Sequence, residues 1–165
     1  IFLLFSCEST DNERNITFFR GKIKNPKGPY VYLYSGKKII DSTKLDFNNK
    51  FSFELDSIKL GLYTFKHGAE YQYLYLEPQD SLLIYLNTWD FDESLIFSGR
   101  GSAKNNYLIN LYLQQEKAEK RFKYKYDLDE EQFSKLVDSG IQEQLANYND
   151  LLIDEGGKPS PFFDK

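Results

Sequence analysis

The chain has 165 residues, enough for one domain with its own core, and its 41% hydrophobic content argues against long-range disorder. Its 21 basic and 25 acidic residues give a formal charge of −4. The two signs are mixed along the chain, which disfavours a dedicated nucleic-acid binder. One Cys and one His exclude an internal disulfide, a thiol pair and a Cys/His zinc cluster.

In chain order, Ile1-Phe2-Leu3-Leu4-Phe5-Ser6-Cys7 is an apolar run that gives way at once to Glu8-Ser9-Thr10-Asp11. It is too short to cross about 30 Å of hydrocarbon. It reads as the back half of a secretory signal whose front lies outside this stretch, in keeping with the absence of Met. Its tail resembles a bacterial lipobox, with Leu4 at −3, Ser6 at −1 and Cys7 at +1, although Phe5 is bulkier than is usual at −2. Cys7 is thus the candidate lipidation residue, since only a thiol there can carry the acyl group and several chains together anchor stably. The competing reading is a core strand with an incidental Cys. Residues 1–7 are read as signal and 8–14 as a tether.

Residues 15–98 read as a β-rich body. Candidate strands are Ile16–Lys24, Tyr30–Tyr34, Lys38–Leu45, Lys50–Leu55, Gly61–Lys66, Tyr71–Glu77, Ser81–Leu86 and Ser94–Phe97. Breakers separate them: Asn25-Pro26-Lys27-Gly28-Pro29, Ser35-Gly36, Asn48-Asn49 as a type I′ hairpin turn, and Pro78-Gln79. Alternation should point Phe51, Phe53 and Leu55 inward. Tyr71–Leu76 and Leu82–Leu86 are apolar on both faces, as expected of central strands or strands covered by helices. The expected class is mainly β, an antiparallel sandwich or open barrel followed by two helices.

Residues 99–156 read as a helical connector. Ser102 is the expected N-cap of a helix whose stripe is Leu108, Leu111, Tyr112, Gln115, Ala118 and Phe122. In the second helix Asp129 is N-cap with Gln132 as its capping-box partner, and Leu128 can staple to Phe133. Its stripe is Phe133, Leu136, Val137, Ile141, Leu145, Tyr148 and Leu152, closed by Gly156-Gly157 and Pro159.

Few residues suggest chemistry. His67 with Asp80 and Ser81 contains the elements of a triad, but no Gly-x-Ser-x-Gly elbow accompanies them. Gly99-Arg100-Gly101-Ser102 opens a helix as a phosphate loop does, without that motif's spacing. Asp90, Asp92 and Glu93 lack the glycine and the oxygen count of a calcium loop. Lys117, Lys120, Arg121, Lys123 and Lys125 interleave with Phe122, Tyr124 and Tyr126. That pattern suits single-stranded nucleic acid, but a solvated helix end explains it more simply. The 13 tyrosines could form a sugar-binding face or part of the core.

Several stretches together resemble the N-terminal domain of TlpA-like thiol-disulfide oxidoreductase lipoproteins of Bacteroidetes. They are Tyr30-Val31-Tyr32-Leu33 with Ile40-Asp41-Ser42-Thr43, and Asp46-Phe47-Asn48-Asn49-Lys50-Phe51-Ser52-Phe53. Tyr75-Leu76-Glu77-Pro78-Gln79-Asp80-Ser81-Leu82 and the run Phe97–Leu108 complete the set. Asn49 and Gln79 stand where that family usually has Gly. Gly157-Lys158-Pro159-Ser160-Pro161-Phe162-Phe163 resembles the opening of its thioredoxin-like domain, so residues 157–165 would begin that domain. The resemblance covers nearly all of the chain. It implies an envelope protein, anchored by lipid on the periplasmic side or the surface. It also implies, as partners, a thioredoxin-like domain and protein thiol substrates. A homodimer is compatible with it, and neither a cofactor nor nucleic acid is implied. The family's Trp-Cys-x-x-Cys matches no position here, so no catalytic residue carries over. What is expected is a non-catalytic accessory domain. The rival expectations are a lipid-anchored module that binds glycan or peptide, and a structural lipoprotein.

Overall fold

The computed structural model describes residues 15–123, 128–154 and 156. Seven strands come first: β1 (Ile16–Lys24), β2 (Tyr30–Ser35), β3 (Lys38–Lys44), β4 (Lys50–Asp56), β5 (Gly61–His67), β6 (Glu70–Leu76) and β7 (Ser81–Asn87). A single-turn helix α1 (Phe91–Ser94) precedes β8 (Ile96–Arg100), and the helices α2 (Ser102–Lys123) and α3 (Glu130–Asp154) follow. The lipobox with Cys7, the tether and residues 157–165 lie outside the described residues.

The strands form two open four-stranded sheets, β4-β1-β7-β8 and β3-β2-β5-β6, with the core between them. The fold is therefore mainly β with a helical C-terminal part, sandwich-like and not a closed barrel. One pairing departs from an all-antiparallel plan: β1 and β7 run parallel, with Phe18 opposite Ser81 and Lys24 opposite Asn87. The turn after β6 carries the chain across to the first sheet, so β7 arrives in the direction of β1. Such a crossover has no local sequence signal.

Period-two alternation builds the core. Phe51, Phe53 and Leu55 point inward as expected, with Phe19 and Ile23 from β1 and Val31 and Leu33 from β2. Phe19 stacks on Phe53 at 5.9 Å and meets Phe65 of the opposite sheet edge-on at 5.8 Å. Phe65 in turn stacks on Phe91 of α1 at 5.9 Å. This aromatic chain ties both sheets and α1 together, each ring contributing about 1.5–3 kcal/mol by burial.

One turn differs from expectation, and the expected break at Pro78-Gln79 takes a defined form. Only Asn49 has positive φ (58°), so Asn48-Asn49 is not type I′. Instead the Asp46 carboxylate accepts the backbone N–H of Asn48 and of Lys50, both at 2.8 Å, and Asn49 N–H donates to the Asp46 carbonyl. One residue in the left-handed region after a tight turn is the three-residue hairpin form. In Glu77-Pro78-Gln79-Asp80 the N–H of Asp80 donates to the Glu77 carbonyl, and Gln79 has φ 68°. With Pro second, these are the marks of a type II turn.

Helix α2 plugs the open side of the sandwich. Asn105 takes the backbone of edge strand β6: its Oδ1 accepts from Tyr75 N–H and its Nδ2 donates to the Tyr75 carbonyl, both at 2.8 Å. Asn106 does the same on edge strand β8, with Phe97 N–H at 3.0 Å and the Phe97 carbonyl at 2.9 Å. The buried helix positions are therefore Lys104, Asn105 and Ile109, with Leu113 packed against the core. The expected stripe is displaced: Tyr112 is 47% exposed and Gln115 is exposed. Ser102 is the first helical residue, not the cap before it. Strand β6 is an edge strand whose Tyr71 and Tyr73 are exposed, rather than central or covered along its length.

Helix α3 begins with the expected capping box: Gln132 N–H donates to Asp129 Oδ1 at 2.8 Å, and Asp129 N–H to Gln132 Oε1 at 3.4 Å. It returns antiparallel to α2, with Leu136 and Val137 beside Gln114 and Ala118. Leu151 is buried, whereas Phe133, Ile141 and Leu145 of the expected stripe are about half exposed. The stripe is wider than the one helix it packs against.

Asn105→Ala removes the amide that bonds both backbone groups of Tyr75. Each group left unpaired costs about 1–3 kcal/mol, so urea unfolding should show a loss of about 2–4 kcal/mol. A loss below about 1 kcal/mol would mean that water replaces the amide.

Candidate functional site

His67 is 1% exposed at the end of β5. Its Nε2 accepts the backbone N–H of Lys27, and Nδ1 bonds the Tyr30 carbonyl, both at 2.9 Å. A carbonyl only accepts, so Nδ1 carries the proton and the ring is neutral. Both nitrogens are engaged by the backbone, and the ring buckles the Asn25–Pro29 turn onto the second sheet. Asp80 follows β6, beyond the opposite end of β5, roughly 20 Å away at strand spacing. The structure thus separates His67 from Asp80 and Ser81, and no triad forms.

Asp80 is buried instead at the junction of β8 and α2. Its Oδ2 accepts the Glu77 N–H at 2.8 Å, and Lys104 pairs with Glu77 at 2.8 Å. Gly99 and Gly101 have φ of 87° and 92°. A Cβ on Gly99 would overlap the Ser81 carbonyl, and one on Gly101 would overlap the Asp80 carboxylate. The start of α2 is therefore faced by the chain's own anions and offers no phosphate loop. Burial raises the Asp80 pKa, offset by the Glu77 backbone bond; the Glu77 charge raises it further, and Lys104 and Arg100 lower it.

Asp90, Asp92 and Glu93 surround α1, whose Phe91 turns into the core. Burial, then the charges of Glu93, Glu70 and Glu116, raise the Asp92 pKa, and Tyr112 donates a hydrogen bond to it. Among the described residues no group of three His, Cys, Asp or Glu is placed to hold a metal. Lys117, Lys120 and Lys123 lie on the exposed outer part of α2, where Lys120 pairs with Glu116 at 3.2 Å. Lys125, Tyr124 and Tyr126, with the side chains of Arg121 and Phe122, lie outside the described residues. Among the described residues no helix is long and apolar enough to cross a membrane.

The surfaces that remain are the outer faces of the two sheets. On the second sheet, register places Tyr32 and Tyr34 of β2 and Tyr71 and Tyr73 of β6 on either side of Thr64 and Lys66. Tyr30 extends the row, its ring 6.1 Å from that of Tyr32. Tyr30, Tyr71 and Tyr73 are 45%, 56% and 52% exposed. A hollow of about 330 Å³ lies between Tyr34, Thr64, Lys66 and Tyr71. These are the tyrosines whose placement the sequence left open.

On the first sheet a wider groove of about 800 Å³ crosses β4, β1, β7 and β8. Leu83, Tyr85 and Ile96 contribute its apolar part, and Arg20, Lys22 and Lys50 its cationic part. Sequence reading missed it, because its residues come from strands far apart in the chain and only register joins them. A local signal existed in the outward apolar residues of β7.

No family model matches the chain, and no curated protein matches it.

Burial holds His67 below its ordinary value of 6.5, whereas the unfolded chain protonates near that value. The unfolded state therefore binds more protons below 6.5, and stability falls as pH drops through 6.5 towards the lowered folded value. The urea midpoint should fall between about pH 7 and about pH 5, and His67→Gln should remove that component. The raised pKa of Asp80 acts in the opposite sense in both proteins and cancels in the difference.

Proposed function

We propose that this chain is a non-catalytic accessory domain of a membrane-anchored thiol-disulfide oxidoreductase in the bacterial cell envelope. Cys7 is its lipid carrier, and a thioredoxin-like domain follows it. The observation that carries this reading is a shared pole. At the start of β1, Thr17 Oγ1 donates to the Glu77 carbonyl and accepts the Gln79 N–H, both at 3.0 Å. At the end of α3, Asp154 lines the same hollow as Glu77 and Asp80. The chain enters the described body and leaves it beside one turn. A body built in this way sits to the side of the path between anchor and next domain, with both sheet faces free for partners.

Turn geometry adds support. The two positions where the resembled family usually has Gly, Asn49 and Gln79, have φ of 58° and 68°. Glycine adopts such angles at no steric cost. The redox step itself requires a low-pKa thiolate with a resolving partner. Cys7 is the chain's only cysteine, so that step belongs to the following domain. The partners are then the membrane, the thioredoxin-like domain and the protein thiol substrates it acts on. A second reading, a lipid-anchored module for glycan or peptide without a redox role, is favoured by the tyrosine face.

The test is the coding DNA for about 450 nucleotides beyond Lys165, one domain of typical size. A Trp-Cys-x-x-Cys motif in its first strand-helix unit is expected. Its absence overturns the redox reading and leaves the binding module. The purified chain should not reduce insulin, the full-length protein should, and Cys7→Ala should move the full-length protein from the membrane to the soluble fraction.

A further inference from the structure

The groove on the first sheet deepens this reading and rests on it for its biological meaning. On a solvated sheet face alternation leaves polar side chains outward. Here Leu83, Tyr85 and Ile96 point outward instead and are 51%, 43% and 61% exposed. Arg20, Lys22, Lys44 and Lys50 line the same groove, against the single carboxylate of Asp46. That carboxylate is already engaged by two backbone N–H groups of its own turn. Arg20 is held over the Phe18 ring at 4.1 Å, bonds Ser52, and pairs at 4.0 Å with Glu54, which lies beyond the groove on the same outer face of β4. Among the described residues Lys22, Lys44 and Lys50 make no ion pair. In a chain of net charge −4, the end of this face around Lys22, Lys44 and Lys50 is locally cationic.

Register sorts these groups into two lanes. Lys50 lies opposite Lys22, Lys22 opposite Tyr85, and Tyr85 opposite Ile96. One step along, Ser52 lies opposite Arg20, Arg20 opposite Leu83, and Leu83 opposite Ser98. Within the groove the cations Lys50 of β4 and Lys22 and Arg20 of β1 thus form one lane, ending at Glu54, and apolar side chains run along β7 and β8, about 5 Å from β1. Within each lane neighbours repeat every second residue, about 6.8 Å. An extended polypeptide standing on edge between the lanes presents alternate side chains to each side with that same repeat. Strand addition at β8 meets Asn106, which holds both backbone groups of Phe97, and a segment between the lanes lies over β1 and β7, each already paired on both sides, so recognition there falls to side chains. Leu and Ile on the floor suit alkyl side chains better than the many hydroxyls of a sugar.

We propose that this groove binds an extended, acidic polypeptide segment in which carboxylates alternate with apolar side chains, the form in which the parent's protein substrates are presented. The occupant follows from charge complementarity with the lysine lane and from the shared two-residue repeat.

The test is fluorescence anisotropy of the purified chain with a short labelled peptide alternating Glu and Leu, at about 50 mM salt so that screening is weak. Binding is expected, weakened at least about tenfold by the double variant Lys22→Glu/Lys50→Glu and similarly by Ile96→Ser. Lys66→Glu, on the opposite sheet, should leave it unchanged. Urea midpoints of the variants confirm that they fold. The proposal is overturned by no binding at about 1 mM protein, or by binding that ignores the groove variants. It is also overturned if an oligogalacturonate binds with the variant pattern and the peptide does not. Failure here with Trp-Cys-x-x-Cys present downstream removes the groove and keeps the accessory domain. Peptide binding without that motif keeps the groove and removes the redox reading.

Discussion

Two neighbouring side-chain amides hold the architecture together. An open sandwich leaves unpaired N–H and C=O groups along its edge strands, which invite pairing with another chain. Asn105 and Asn106 each offer one donor and one acceptor in the geometry of a peptide group. Being consecutive on a helix, they point about 100° apart, so one reaches β6 and the other β8. That double engagement fixes where α2 starts, and so places Lys104 on Glu77 and Ile109 in the core. The glycines at positions 99 and 101 follow from the same constraint, since the turn must pass against the Ser81 carbonyl and the Asp80 carboxylate.

Seven strands were legible because each is bounded by its own breakers. The eighth was expected at Ser94–Phe97, whereas Ser94 ends α1 and β8 runs Ile96–Arg100, since pairing with Ser81 and Leu82 carries it through Gly99 and Arg100. Ile16–Lys24 is β1 to the residue. The capping box Asp129/Gln132 was legible for the same reason, since every group it needs lies within four residues. The parallel β1–β7 pairing was not, because it joins segments separated by all four strands of the other sheet and by β4. The buried face of α2 was misread because its deepest positions are polar: apolar periodicity cannot find a helix that docks through asparagine and lysine. Asn48-Asn49 was mistyped because the Asp46 side chain, two residues upstream, decides that turn.

The candidate sites divide along the same line. His67 was recognisable as structural, and the structure supplies the reason in its two backbone bonds. The tyrosines were visible as a count but not as a face, since alternation on β2 and β6 gives their sides and only the sheet order brings them together. The cationic groove depends on register among β4, β1, β7 and β8, information no single segment holds. The candidate surfaces of this fold are thus assembled by strand pairing rather than by a motif.

The shared pole has a mechanical meaning. Tension between whatever precedes Asn15 and whatever follows Asp154 is transmitted across the Thr17–Glu77 contact and the α3 terminus, a short path that bypasses the length of both sheets. The far pole, where His67 pins the Asn25–Pro29 turn, lies off that path. A pull on such a body is applied at one pole, so the Thr17–Glu77 contact and the α3 terminus are strained before either sheet is stretched along its length.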